Sequence, residues 1–183
     1  MKKKKFSLTS LLYKIEPKKR LVCNAILKDL SQEFNLYPGS MTKHQQWKGG
    51  YRDHVEEVMN IACALYEALD ARRRLAFSLS DALFILFIHD LDKILRYKRV
   101  QNAYVQIRKF SQEAHREVVR MLTKEYGHTF TKQELNALAY IHGEGVDYHP
   151  TKRVMQPLAA FVHCCDMISA RIWHDKGRDE QWW

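Results

Sequence analysis

Apolar side chains recur along this chain at the three-and-four spacing of a single helix face, and residues that turn the backbone separate the stretches that show it. The pattern predicts helices over residues 19–35, 53–70, 79–97, 108–126, 131–142 and 155–174. Two of the breaks are explicit: YPGS at 37–40 contains a Pro-Gly pair, and KGG at 48–50 lets the chain bend before the second helix. Thr131 and Glu134 have the spacing of a reciprocal helix cap, which marks the start of the fifth. The expected fold class is therefore all-α, a single helical bundle with any site lying between its core helices.

Polar side chains interrupt these apolar faces in a repeated way. His54 is in line with Val58, Ile61, Leu65 and Leu69, and His115 with Val118, Val119 and Leu122. His142 continues the row of Leu135, Leu138 and Ala139, and Asp166 that of Leu158, Val162 and Ala170. The most apolar run of the chain, ALFILFI at 82–88, ends directly in His89 and Asp90, with Asp92 next and Lys93 one turn onward. A lone histidine on such a face is more often a hydrogen-bonded core residue than a ligand. A buried carboxylate, however, needs a cation or several donors. One metal centre would compensate both Asp90 and Asp166 and would use the histidines as well.

Composition narrows the class. Of 183 residues 46% are hydrophobic, enough for a sizeable core in one domain, and the low Gly and Pro content favours helices over loops. The run at 82–88 is too short to span a membrane, and the first twenty residues lack the apolar segment of a secretory signal, so a soluble, cytoplasmic protein is expected. Cys23, Cys63, Cys164 and Cys165 form no CxxC pair and read as reduced core residues. The formal charge of +9 comes from scattered clusters and favours a phosphate-rich partner over a neutral one, with a solvated basic surface as the alternative for any single cluster. Residues 1–18 read as a basic arm, 19–175 as the domain, and 176–183 as a tail whose Trp182 and Trp183 would pack on the domain or on a second subunit of a homo-oligomer.

The ordered set His54, His89-Asp90, His115, His142 and Asp166 resembles the HD-domain superfamily of metal-dependent phosphohydrolases. GGYRDHVEEVMNIA is similar to that family's first-histidine helix, FIHDLDKI to its defining doublet in the HDxxK variant, and AAFVHCCDMISARI to its closing helix. The resemblance runs from about Gly49 to Arg171. The HDxxK form resembles phosphodiesterase-type members, whereas nucleotidase members more often carry glutamate at the position of Lys93. YIHGEGVDYHP departs from the paired histidines of the HD-GYP branch, which bears on a second metal site; His149 could supply a ligand there, or be a solvated loop residue.

The resemblance implies a first metal site of His54, His89, Asp90 and Asp166, and a second held by His115 and His142 with Asp90 bridging. Imidazole and carboxylate donors suit one or two ions of Mn, Fe, Co, Ni or Zn, and Mg less well. The expected chemistry is attack of metal-bound hydroxide on a phosphodiester in a nucleotide or short oligonucleotide, with Asp90 and Lys93 catalytic and Lys93 neutralising a phosphate oxygen. Arg96, Lys152 and Arg153 are candidate substrate clamps or parts of a solvated face, and Glu144 and His149 are loop candidates for orienting water or ligand. Two other functions fit the same residues: a nucleotide phosphatase or triphosphohydrolase, and a non-catalytic nucleic-acid-binding or adaptor protein on the same scaffold.

Overall fold

The computed structural model of the chain describes residues 5–101 and 103–173. The expected tail, with Trp182 and Trp183, lies outside the described residues. The elements run α1 (Leu8–Leu12), α2 (Pro17–Asp29), α3 (Ser31–Leu36), α4 (Gly50–Asp70), α5 (Leu79–Ile88), α6 (Lys93–Arg96), β1 (Tyr97–Val100), β2 (Ala103–Gln106), α7 (Gln112–Glu125), α8 (Lys132–Tyr140) and α9 (Pro157–Met167). A 3-10 turn lies at Gly145–Asp147, and a π-helical turn, Ile168–Ile172, continues α9. The fold is mostly helical, with one small antiparallel hairpin in which Tyr97 pairs with Gln106 and Arg99 with Tyr104. No described helix is long and apolar enough to cross a membrane.

Helix α5 is the axis of the bundle. Its side chains from Ala82 to Ile88 are all fully buried, so it is covered on every side by α2, α4, α8 and α9. Its start is fixed by a reciprocal cap between Ser78 and Asp81, and α8 starts on the cap foreseen between Thr131 and Glu134. Pro157 opens α9, where a missing N–H costs nothing. Beneath α8, Lys19 reaches from α2 to Glu134 at 2.9 Å and to Asp81, and His128 lies 3.3 Å from Glu134, so a buried ionic cluster ties three elements at the end of the bundle away from His89.

Three differences from the sequence reading matter. First, the stretch expected as a basic arm contains α1. Leu8, Leu11, Leu12 and Ile15 are buried in the core, and the segment is stitched to α4 because Phe6 N–H donates to Asn60 Oδ1 (2.8 Å), Leu8 N–H donates to Glu56 Oε2 (2.9 Å), and Asn60 Nδ2 donates back to the Phe6 carbonyl (2.9 Å). Second, the helix expected over 79–97 ends at Ile88. The N–H groups of Leu91, Lys93 and Leu95 bond three residues back, to Ile88, Asp90 and Asp92, and this tighter winding leads into α6 and the unforeseen hairpin. Third, Cys164 is exposed, whereas Cys23 and Cys165 are buried; all four thiols are free.

Candidate metal centre

The turn after α5 carries the fully buried His89 and then Asp90, which reaches the wall of a cleft of about 530 Å³. Helix α4 brings His54 to it from one side, the last turn of α9 brings Asp166 from another, and the residue after Ile141 at the end of α8 contributes His142. His54 and His89 are fully buried, Asp90 and Asp166 nearly so, while the His142 side chain is 33% exposed at the mouth. One ligand atom each from His54, His89 and Asp166 lies within 4.8 Å of the other two, close enough to share an ion.

Hydrogen bonds determine which ring nitrogens face inward. His89 Nδ1 lies 2.8 Å from the Leu86 carbonyl, which can only accept, so that nitrogen carries the proton and Nε2 of the neutral ring is bare. His54 Nδ1 lies 3.0 Å from Ser169 Oγ, whose own hydrogen is committed to Glu57 Oε2 at 2.5 Å. His54 Nδ1 is therefore also the donor, and its Nε2 is bare as well. The two Nε2 atoms stand 3.4 Å apart. Asp166 Oδ1 is 3.2 Å from His54 Nε2, and Asp90 Oδ2 is 3.2 Å from His89 Nε2 and 3.6 Å from His54 Nε2. These acceptors thus lie close together in one buried volume, where the donors within reach are Lys93, bound to Asp90, and His142 Nδ1, 3.3 Å from Asp166 Oδ2.

The electrostatics follow from this crowding. Burial lowers the His54 pKa despite the pull of Asp166. Burial acts in the same sense on His89, but Asp90, with Asp166, outweighs it and raises the pKa. Burial opposes ionisation of both carboxylates; His89 and Lys93 nevertheless hold Asp90 well below the usual range, and His142 and His54 do the same for Asp166. Two carboxylates against one ammonium leave a net negative charge that a divalent ion would reverse.

His115 stands beside this group rather than in it. Its ring is 4.9 Å from that of His142, and its Nδ1 lies 2.9 Å from Asp92 Oδ1 and 3.2 Å from the Arg96 guanidinium. The Arg96 guanidinium donates to Nδ1, while Asp92 Oδ1 and His115 Nε2 are both buried with no hydrogen-bond partner. His142 Nε2 is 4.0 Å from Asp90 Oδ1 and its Nδ1 is 3.3 Å from Asp166 Oδ2. An orphaned imidazole nitrogen thus lies beside a second imidazole and next to the group of His54, His89 and Asp166 that could hold a metal ion.

The other residues singled out in the sequence divide. Lys93 and Arg96 line the cleft; Lys93 is buried against Asp90 with its ammonium 5.5 Å from the Tyr51 ring centre, and Arg96 is bound to Asp92. Glu144, His149, Lys152 and Arg153 are not on the cleft wall. Glu144 accepts from the Met155 N–H at 3.4 Å and braces its own loop, His149 accepts from the Thr151 N–H at 3.2 Å, and Lys152 and Arg153 are exposed.

Several side chains at the site carry no helical periodicity and escape a sequence reading. His44, from the loop before α4, has its ring 4.5 Å from the His54 ring and tilted 45° to it, and burial, together with the charges of His54 and Lys93, lowers its pKa to about 3. Gln45 is buried beside it, donating from Nε2 to Glu57 Oε2 (2.9 Å) and Ser169 Oγ (3.2 Å). Glu57, one turn after His54 on the same face of α4, was the readable member of this set; burial pushes its pKa up to about 7. No protein-family model, curated protein or solved structure gives a significant match to this chain.

Proposed function

We propose that the protein is a metal-dependent phosphohydrolase of the HD type that cleaves a phosphodiester bond in a nucleotide or short oligonucleotide. The observation that carries this reading is the convergence of ligand atoms: one each from His54, His89 and Asp166 lies within 4.8 Å of the other two, with Asp90 adjoining, and hydrogen bonds to Ser169 and the Leu86 carbonyl turn both imidazoles with Nε2 inward. Two buried carboxylates whose donors are Lys93 and His142 still carry excess negative charge beside two inward imidazole nitrogens, an arrangement that a cation would stabilise.

When bound, a divalent ion supplies Lewis acidity toward the phosphate and activation of water near neutral pH. The chain's own residues do the rest. Asp90 and Asp166 would hold the cation together with His54 and His89, and Lys93, held on Asp90, keeps a positive charge on the cleft wall where charge would gather on the phosphate oxygens. Lys93 at the third position after Asp90 also carries the resemblance to the phosphodiesterase-type branch. Arg96, fixed by Asp92 on the wall, places a second cation beside the substrate.

The test is hydrolysis of bis(p-nitrophenyl) phosphate by metal-stripped protein, by protein with Mn²⁺ added, and by a folded Asp90→Asn variant with Mn²⁺. Turnover that requires the metal and is lost in the variant supports the reading. Equal rates with and without metal, or no turnover by a sample shown to bind Mn²⁺, would sink it.

A further inference from the structure

Two features of the cleft are left over once the metal centre is accounted for: a run of cations with no partner, and a strained loop that holds one of them in place. Cationic side chains reach the wall from four segments. Lys93 and Arg96 are occupied by Asp90 and Asp92. Lys43, Lys109 and Arg171 also line the cleft, are exposed, and form no ion pair with a carboxylate among the described residues. The two carboxylates on the cleft wall, Asp90 and Asp166, are turned to the histidines. A phosphodiester brings a single negative charge, so a ligand with only that group would leave these three cations facing solvent.

The loop bearing Lys43 is built rather than loose. Gln45, next to His44, is held at a φ of 38°, a left-handed conformation that costs a residue with a Cβ about 1 kcal/mol or more. Its side chain is 1% exposed and tied to Glu57 and Ser169, and its carbonyl accepts from Gly39 N–H at 2.8 Å. Gly39 and Gly50 leave room for it: a Cβ on Gly39 would approach the Gln45 Cβ to 2.9 Å, and one on Gly50 would overlap the Gln45 carbonyl. His44 Nδ1 is 2.5 Å from Gln45 Oε1. The strain is thus maintained by contacts that set residues 40–44 over the cleft.

We propose that Lys43, Lys109 and Arg171 form a second phosphate subsite beside the metal centre, so that the preferred substrate carries a terminal phosphate within about one nucleotide of the bond that is cut. This deepens the reading above and rests on it. A cleft of about 530 Å³ is in the range that encloses a small ligand rather than a length of polymer. Its cations match a short strand that ends in a phosphate, since Arg and Lys grip phosphate oxygens by charge-assisted hydrogen bonds.

The experiment is calorimetric binding of the uridine dinucleotide with and without a 5′-phosphate to the full chain, metal-stripped and at low salt, compared with a Lys43→Gln, Lys109→Gln, Arg171→Gln triple variant. The expected result is at least tenfold tighter binding of the phosphorylated dinucleotide, a preference that the triple variant loses while keeping its melting temperature. Equal or undetectable binding of both dinucleotides to the native chain would overturn the proposal, as would a preference that survives in the variant. The single variants Lys109→Gln and Arg171→Gln each lose part of the preference, and they serve if the triple variant is unstable. Binding without metal is read independently of turnover. A failed hydrolase assay therefore remains distinguishable from a failed subsite.

Discussion

Replacing Ser169 by alanine tests the ligand-orienting network most directly. Ser169 Oγ accepts from His54 Nδ1 at 3.0 Å and from Gln45 Nε2 at 3.2 Å, and donates to Glu57 at 2.5 Å. Without it the His54 proton loses its acceptor, and a buried donor left unpaired costs about 1–3 kcal/mol. His54 has an escape: its proton moves to Nε2, where Asp166 Oδ1 accepts at 3.2 Å. The expected loss of stability is therefore at the low end, about 1 kcal/mol, or roughly 2–4 °C in melting temperature for a chain of this size. The escape, however, puts a proton on the nitrogen that the metal needs. Mn²⁺ affinity should fall by roughly 10–100-fold, the usual effect of losing a partner that orients a ligating histidine. Calorimetric titration of Mn²⁺ into native and Ser169→Ala protein measures this, with thermal melts as the control for folding. An affinity within about threefold of the native value in a folded variant would refute the tautomer argument.

Other outcomes follow from separate parts of the molecule. Since Asp90 raises the His89 pKa above its ordinary 6.5, a proton competes with metal there; Mn²⁺ affinity should drop as pH falls through the neutral range, with proton release on binding visible in buffers of different ionisation enthalpy. Glu134, which burial opposes but His128 and Lys19 stabilise as the anion, has its pKa lowered from 4.5 to about 2, so its contribution is complete above 4.5 and lost as pH falls toward 2. That contribution is roughly 3 kcal/mol, and the gap in urea stability between native and Glu134→Gln protein should shrink between pH 5 and pH 2.5. Lys19→Met removes one partner of that buried carboxylate, leaving His128 and the Thr131 N–H, and should cost about 1–3 kcal/mol at neutral pH by the same assay. Gly50→Ala drives a methyl group into the Gln45 carbonyl and should cost 3 kcal/mol or more, seen as a lowered melting temperature; a neutral effect would show that the loop has room to relax.

What the sequence showed and what it hid have the same physical origin. Periodicity reports on faces, so it found the apolar rows carrying His54, His115, His142 and Asp166, and the run ending in His89. It could not tell that His115 turns to Asp92 while His54 and His89 face each other, because that depends on the winding after Ile88, where neither Gly nor Pro breaks the pattern. The hairpin was missed because Lys98, Arg99 and Val100 are all exposed and show no alternation. In SLTSLLYKI the spacing of Leu8, Leu11, Leu12 and Ile15 is that of a helix face, but the surrounding lysines made it read as an arm. His44 and Gln45 lie in a loop, where a side chain's direction follows from the turn rather than from its position in a repeat.

The full burial of α5 also bears on how the cleft opens and closes. Amide hydrogens in a helix covered on all sides exchange only when the whole domain unfolds, so His89 and Asp90 are attached to the slowest-exchanging segment of the chain. The segment 39–47 opposite them is held by a few polar bonds around Gln45 and lies partly in solvent. The two walls therefore differ in how they should exchange: amides of the first only with global unfolding, those of the second also when the polar bonds around Gln45 break.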